Sequence, residues 1–401
     1  MKQGWEIKKL GEVLIVQNGY AFNSKLFTID SGMPLIRIRD IKNGNTTETN
    51  YQGNYDEKFV VKAGDFLIGM DGEFACYEWK GENALLNQRV CRLQNFKETV
   101  NPKFLFYGIN KYLKAIEDVT AYATVKHISS KQIQNIDFPI PSLPEQHRIV
   151  SILDQCFSAI EQSRNNAEQN LKNAKELFES YLENLFCEIF KTNETRTISE
   201  VAKVIGGYSF KSEDFKKSGK YQVIRMGNVR PGIIRENENA VFVDDMDEKA
   251  LSKALLLPND VIITQTGTKK KRDYGFTVII EKENYLLNQR IAAIRFSKSY
   301  LPNFFLYFSW TNIFKDQYFA NETGTVGQGN VGIGAITDAE IPFIPIKQQE
   351  KIVENIDALR TETQKLEAVY QKKIVNLEEL RKSVLQKAFS GELTEKTLQY
   401  E

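Results

Sequence analysis

Only four cysteines and two histidines occur in the 401 residues. Cys76, Cys91, Cys156 and Cys187 lie far apart with no paired spacing, which fits reduced thiols and argues against a disulfide scaffold or a zinc knuckle. His127 and His147 alone make a histidine-based metal site unexpected. Long apolar runs are missing too: nothing approaches the roughly 18 uninterrupted apolar residues of a membrane span. Residues 1–12 are charged and lack an apolar core, so a cytoplasmic protein is expected. Excess charge of one sign is also absent. With 53 basic against 52 acidic residues the formal net charge is +1, so a contact with nucleic acid must come from local basic patches or from a partner. A 42% hydrophobic and 26% charged composition is that of a soluble protein with proper cores, and the length allows two to four domains.

What the chain does have is itself, twice. Asn18-Gly19-Tyr20-Ala21-Phe22 returns as Gly206-Gly207-Tyr208-Ser209-Phe210, and Leu35-Ile36-Arg37-Ile38 as Val223-Ile224-Arg225-Met226. Leu85-Leu86-Asn87-Gln88-Arg89-Val90 returns as Leu286-Leu287-Asn288-Gln289-Arg290-Ile291. Pro139, Gln146, Ile149, Val150 and Asp154 close the first copy as Pro342, Gln349, Ile352, Val353 and Asp357 close the second. Two long copies in preserved order imply a pseudo-twofold molecule, not a solenoid, and suit a target with two separated half-sites.

A long helical stretch follows each set. Pro144-Glu145-Gln146 makes a plausible first turn, and apolar or small residues then mark a seam at Leu153, Phe157, Ile160, Ala167, Leu171, Ala174, Phe178, Tyr181 and Leu185. The second stretch does the same at Ile352, Ile356, Leu359, Thr363, Leu366, Tyr370, Ile374, Leu377, Leu380 and Val384. Sustained heptads with charged flanks indicate a coiled coil, here an intramolecular antiparallel pair that buries both stripes. About 40 residues at 1.5 Å each span about 60 Å, enough for the pair to act as a ruler between two globular heads. A coiled coil used only for oligomerisation is the plainer alternative.

The heads have short apolar runs bounded by Gly, Asn and Asp, such as Phe66-Leu67-Ile68-Gly69-Met70 and Val261-Ile262-Ile263-Thr264. One helix is expected within each, at residues 104–117 and 304–318, which makes the class α+β with two mixed α/β heads. The expected organisation is a head at 1–142, a helical region at 143–195, a second head at 196–345 and a second helical region at 346–401.

Length differences between the copies concentrate in two loop regions, as expected where loops on a rigid platform carry recognition. Thr268-Lys269-Lys270-Lys271-Arg272 is a basic patch able to neutralise backbone phosphates, unless it is merely a solvated charge run. Arg37, Arg39 and Asn43 in one head, and Arg225, Asn228 and Arg230 in the other, occupy equivalent strand ends. Arginine pairs bidentately with guanine and asparagine with adenine, although arginines on strands also pair with carboxylates such as Asp40. Lys126 joins these candidates from the segment matching the glycine-rich stretch of the second head. Gln88-Arg89 and Gln289-Arg290, identical in both copies, read more as scaffold than as specificity.

Catalytic readings fare poorly. Gly327-Gln328-Gly329-Asn330-Val331-Gly332 matches a dinucleotide fingerprint literally, but its counterpart Thr124-Val125-Lys126-His127-Ile128 has no glycine, and a flexible loop approaching DNA fits better. Asp65 with Glu78-Trp79-Lys80 could hold magnesium in a nuclease, yet Asp260 matches Asp65 without a matching Glu-x-Lys. The Asn-Pro-Pro-aromatic motif of amino-methyltransferases is absent.

Taken together, the chain resembles the specificity subunit of Type I restriction-modification systems. The resemblance spans essentially the whole chain and rests on Gly19-Tyr20-Ala21-Phe22, Gly64-Asp65-Phe66-Leu67-Ile68, Leu86-Asn87-Gln88-Arg89, residues 136–150 and Lys387-Ala388-Phe389-Ser390-Gly391-Glu392-Leu393. It implies a chain that is not itself catalytic, with two target-recognition domains that each read one part of a split, asymmetric DNA site. It also implies two methyltransferase subunits and two restriction subunits as partners, which would carry the S-adenosylmethionine, magnesium and ATP; no cofactor is expected in this chain. Carried over by position, the recognition loops include Tyr20, Lys25, Arg37 and Arg39, then Tyr208, Lys211, Arg225 and Lys269, Lys270, Lys271 and Arg272. A related subunit of a Type IIB-like enzyme, or more remotely a coiled-coil scaffold, are the alternatives.

Overall fold

The structure is a computed structural model and describes residues 4–120, 126–244, 246–269, 271–325 and 327–394. Two compact α+β units divide the chain. One combines Met1–Asn166 with Lys373–Glu401, and the other is Ala167–Lys372.

In the first unit an antiparallel sheet runs in the order Ile15–Asn18, Val90–Gln94, Phe66–Gly69, Cys76–Glu78. Its central strands are almost uninterruptedly apolar because both of their faces are covered. Phe66, Ile68, Cys91 and Leu93 face a core shared with helical residues, while Leu67 and Val90 face a second core with Ile36, Trp79 and Leu86. A five-stranded mixed sheet supplies that second layer, with Met33–Ile36 parallel to Ala84–Leu86. Glu6–Lys9 pairs antiparallel with Asp137–Ile140 and so ties the start of the head to its end.

The second unit repeats this plan on its own residues. Ala202–Gly206, Ile291–Phe296, Val261–Thr264 and Thr277–Ile279 form the four-stranded sheet, and Tyr221–Ile224 lies parallel to Tyr285–Leu287. Ile263 and Ile294 again face the helical core, whereas Ile262 and Ile291 face the other. Thr195–Thr197 pairs with Glu340–Pro342 as Glu6–Lys9 does with its partner.

The head helices differ. Pro102–Thr120 is continuous, whereas the expected helix at 304–318 is broken into Pro302–Phe308 and Asn312–Ala320. At the break the hydroxyls of Ser309 and Thr311 donate back to the carbonyls of Leu306 and Phe308, and the freed Asn312 N–H goes to the Glu183 carboxylate. Local side-chain bonds here compete with the helix ladder.

Two long helices, Leu143–Thr192 and Ile346–Ser390, contribute to both units. In the first unit Thr394 Oγ1, just beyond the second helix, donates to Glu145 at the start of the first, and the Arg381 guanidinium lies 5.0 Å from the Phe157 ring. The two segments therefore run antiparallel. Phe389 packs against Phe104, tilted, and Phe138, edge-on, with ring centroids 5.1 and 6.1 Å apart, in the space left by Gly108. In the second unit Phe186 meets Phe304 and Phe308 at 5.2 and 5.5 Å, so a phenylalanine stands where the first unit has Gly108.

The seam holds for Leu153, Ile160, Ala167 and Ala174, all buried seven residues apart. Tyr181, Leu366 and Leu380, expected on it, are instead 37%, 43% and 48% exposed. A helix of 3.6 residues per turn drifts away from a strict heptad by ~20° per repeat unless it supercoils, and beyond Ala174 burial passes to Leu182, Phe186 and Ile189 in the second unit's core.

Each long helix is anchored to its head by a fully buried glutamine. Gln146 accepts from Asn101 N–H at 2.7 Å and donates to the carbonyls of Thr99 and Pro141 at 3.0 and 2.9 Å. Gln349 does the same with Leu301 N–H (2.8 Å) and the carbonyls of Ser299 (3.2 Å) and Ile344 (2.8 Å). Beside them the Tyr107 hydroxyl donates to Asp154 and the Tyr307 hydroxyl to Asp357.

Candidate nucleic-acid interface

Recognition needs side chains that reach outward from a backbone that does not move. In each head a glycine-tyrosine segment and an Asn-Gln-Arg turn supply such a backbone. Tyr20 N–H donates to Leu86 O and Gln88 N–H to Tyr20 O, both at 2.9 Å; Tyr208 and Gln289 repeat the pair with Leu287 O and Tyr208 O, again at 2.9 Å. The preceding glycine is obligatory for this approach, since a Cβ on Gly19 would sit 2.0 Å from Asn87 O and one on Gly207 1.9 Å from Asn288 O.

At the turn Arg89 and Arg290 are left-handed, with φ of 70° and 72°. Among the described residues the other non-glycine residues in this region are four asparagines and Arg272. Asparagine tolerates it, whereas a residue with a longer side chain is strained there by ~1–2 kcal/mol. Both arginines and the glutamines before them are exposed, so these pairs are scaffold through their backbone while their side chains lie on the surface.

The sequence candidates fall into three groups. Tyr20, Lys25, Asn43, Lys211 and Lys271 are exposed, Lys25 on the short 3-10 helix Ser24–Leu26, and Lys211 is paired at 3.5 Å with the equally exposed Glu213. Arg37 and Arg39 line one hollow with Phe27, Ile29 and Glu48; Asp40, the carboxylate weighed as their partner, accepts Arg37 N–H at 2.8 Å and lies 3.8 Å from Arg39 Nε. Arg39 also lines a second hollow, shared with Lys42, Asp71 and Arg89.

Others are engaged within their own heads. Asn228 is buried, with its oxygen on Arg225 N–H and its amide nitrogen on the carbonyls of Arg235 and Glu238, so it ties its own loop. Arg225 donates to Asn239 O and Arg230 to the carbonyls of Gly227 and Val229. Lys126 lies 3.6 Å from the Glu117 carboxylate, whose pKa is held below the usual range chiefly by Lys114 and by Phe74 N–H. Tyr208 is half-buried against Phe210.

Within the basic patch, Lys269 reaches Gly324 O at 3.5 Å and the Arg272 guanidinium lies 4.9 Å from the Phe319 ring centroid, while Lys270 lies outside the described residues. Thr268 N–H holds the Asp273 carboxyl below its ordinary pKa and closes this loop. The glycine-rich stretch is corrected from a flexible loop to a strand, Gln328–Asn330, paired with Thr323–Thr325 and Thr266–Gly267. Within its counterpart, Thr124 and Val125 lie outside the described residues.

The carboxylates weighed for cleavage have structural duties. Asp65 pairs with Arg92 at 3.0 Å and Asp260 with Arg295 at 2.7 Å, each also accepting the backbone N–H three residues before it. Among the described residues no group of three or more His, Cys, Asp or Glu could hold a metal ion, and no helix is long and apolar enough to cross a membrane.

The doubled plan has a counterpart among known proteins. The family described as Type I restriction modification DNA specificity domain matches residues 2–169 and again 191–376. This chain belongs to that family. Specificity-domain relatives cover it nearly end to end. The Type I restriction enzyme EcoBI specificity subunit of Escherichia coli is 27% identical, over 97% of this chain and 86% of its own length. The EcoKI specificity subunit of Escherichia coli strain K12 is 22% identical over 98% and 90%. Two solved structures share the fold. A chain from work on complex assembly and conformational transition of the type I R-M system superposes with a TM-score of 0.74 at 18% identity, over 98% of this chain and 99% of that one. The HsdS subunit from Thermoanaerobacter tengcongensis gives 0.59 at 17% identity, over 98% of both chains. The specificity-domain repeat is thus the same repeat that the sequence blocks mark.

Proposed function

We propose that this chain is the non-catalytic DNA specificity subunit of a cytoplasmic Type I restriction-modification complex. Its heads, residues 1–142 and 196–345, each read one half of a bipartite, asymmetric double-stranded DNA site. The observation that carries the reading is the repetition of one platform whose loops differ: Asn43 is exposed where the second head's Asn228 is buried, and that head instead carries Lys271 and Arg272 exposed on another loop. Tyr20, Lys25 and Lys211 extend these surfaces. Asn228 is buried, and Arg225, Arg230 and Lys126 bond to groups of their own heads.

The helical regions 143–195 and 346–401 set the spacer and dock two methyltransferase subunits, with two restriction subunits completing the complex. The exposed Leu177, Leu366, Val369 and Leu380 on these helices are apolar surface that such docking would cover. S-adenosylmethionine, magnesium and ATP belong to the partners in this reading. Sequencing of modified bases in host DNA, with the gene intact and deleted, tests it. Loss of N6-methyladenine at one split motif is the expected result, and an unchanged methylome in a host with intact partner genes overturns it. Exchange of residues 196–345 for another member's head should alter one half of the motif only.

A further inference from the structure

Gln88-Arg89 and Gln289-Arg290 are exposed, so packing gives no reason for them to be identical. Their backbones are gripped alike: Met70 N–H donates to Arg89 O and Gln265 N–H to Arg290 O, both at 2.9 Å, opposite the bonds from the tyrosine segments. Their surroundings, in contrast, differ. Arg89 shares a hollow with Arg39, Lys42 and Tyr77, whereas Arg290 shares one with Thr325, Gln328 and Asn330. An unvarying outward group beside varying ones is what a ligand with a constant part and a variable part demands. In duplex DNA the constant part is the phosphodiester backbone, and phosphate contacts position a protein without carrying sequence information.

We propose that Gln88-Arg89 and Gln289-Arg290 are one phosphate anchor, built twice, that seats each head on its half-site whatever the bases. The inference rests on the specificity-subunit reading. The left-handed turn is held by its backbone bonds and leaves each arginine side chain on the surface, where its guanidinium has the fork geometry with which arginine takes a phosphate. The two copies are not equally ready. Arg89 pairs with Asp71 at 2.9 Å, and Asp71 also holds His127 at 2.6 Å, so this arginine must exchange a carboxylate for the phosphate. Position 290 faces Thr266 in place of an aspartate, and among the described residues no ion pair engages Arg290. Arg290 is therefore the stronger anchor, and Asp71 weakens the first head's grip.

The test measures binding of the full chain to two duplexes, one carrying the methylated motif and one lacking it, across a salt series. Arg290→Ala should weaken both duplexes by the same factor, roughly tenfold, and lower the slope of log K against log salt by about 0.9. Arg89→Ala should do less, and Asp71→Asn should tighten both duplexes. The motif written in host DNA should not change. Arg290→Gly, at ease in the left-handed turn, keeps the fold while removing the charge, and Arg290→Lys should retain the slope. A folded Arg290→Gly chain that binds like wild type, or one that relaxes the motif at a single base, overturns the anchor. If the wild-type chain binds with its salt slope but prefers no motif, the specificity reading fails instead.

Discussion

Replacing Gln146 by leucine removes a side chain that is completely buried and makes three hydrogen bonds to backbone groups. Leucine fills nearly the same volume, so the loss is one of polar partners. Thr99 is exposed and its carbonyl can turn to water, whereas Asn101 N–H and the carbonyl of the buried Pro141 lose their partner inside the protein. Each stranded group costs about 1–3 kcal/mol, and leucine recovers a little apolar burial, which leaves a net loss of about 3 kcal/mol. With a urea dependence of about 2 kcal/mol per molar, the midpoint should fall by about 1.5 M. Trp5 and Trp79 belong to the first unit and Trp310 to the second, so tryptophan fluorescence after Trp310→Phe in both backgrounds follows the affected unit.

Gln146→Glu separates hydrogen bonding from shape. A protonated glutamic acid can still accept from Asn101 and donate to one carbonyl, but a carboxylate would face two carbonyl oxygens. Burial raises the pKa of such a group above its unfolded value of about 4.3, so its stabilisation is present below that value and lost as pH rises through the folded one. The deficit of Gln146→Glu against wild type should therefore shrink on acidification, while that of Gln146→Leu should not. A midpoint shift below about 0.3 M for Gln146→Leu would refute the view that this glutamine holds helix to head.

Three further outcomes are expected. Gly207→Ala should cost at least the 1–3 kcal/mol of an overpacked core, because the clash is with backbone, whereas Gly227→Ala, whose Cβ meets nothing within 4 Å, should stay within about 0.5 kcal/mol in the same thermal melts. Burial, then the bond to Asp357, pushes the Tyr307 hydroxyl up to about 12, so its contribution is intact below about pH 10 and lost as pH rises to about 12; Tyr307→Phe should flatten that alkaline loss, measured as unfolding free energy against pH. Burial likewise pushes the Cys91 thiol up to about 12 and raises Cys76, so iodoacetamide at neutral pH should label the half-buried Cys156 and Cys187 in the native chain and all four thiols after denaturation, as read by intact mass.

Much of the architecture could be read from period and repetition. The first long helix was legible because Leu153, Ile160, Ala167 and Ala174 recur every seven residues, and the second because Ile356 and Thr363 keep the same spacing. The mixed heads were legible because runs such as Val261-Ile262-Ile263-Thr264 are too short and too apolar for anything but buried strands. The break at 309–311 was not, since Ser and Thr inside an apolar helical pattern reveal nothing until their hydroxyls find a carbonyl. Of the candidate interface only the residue types were legible. That Gly19-Tyr20 and Asn87-Gln88 touch is a tertiary fact between segments far apart in sequence, and identity alone suggested scaffold where the side chains are exposed. Asn228 and Arg39 look equally suitable for reading bases in sequence, yet one knots its loop and the other lines a hollow.

The first unit takes its core from segments on either side of the second: Val384, Leu385, Ala388, Phe389 and Leu393 pack with Phe104, Phe138 and Ile149. A ribosome therefore delivers every residue of the second unit, Ala167–Lys372, before the first can be finished. Proteins usually fold from the N-terminus as they emerge; here the first head must wait for residues 384–393, made after the whole second unit. A premature stop before Lys373 should leave it protease-sensitive beside a protected second unit, so limited proteolysis of arrested chains would read the order of folding directly.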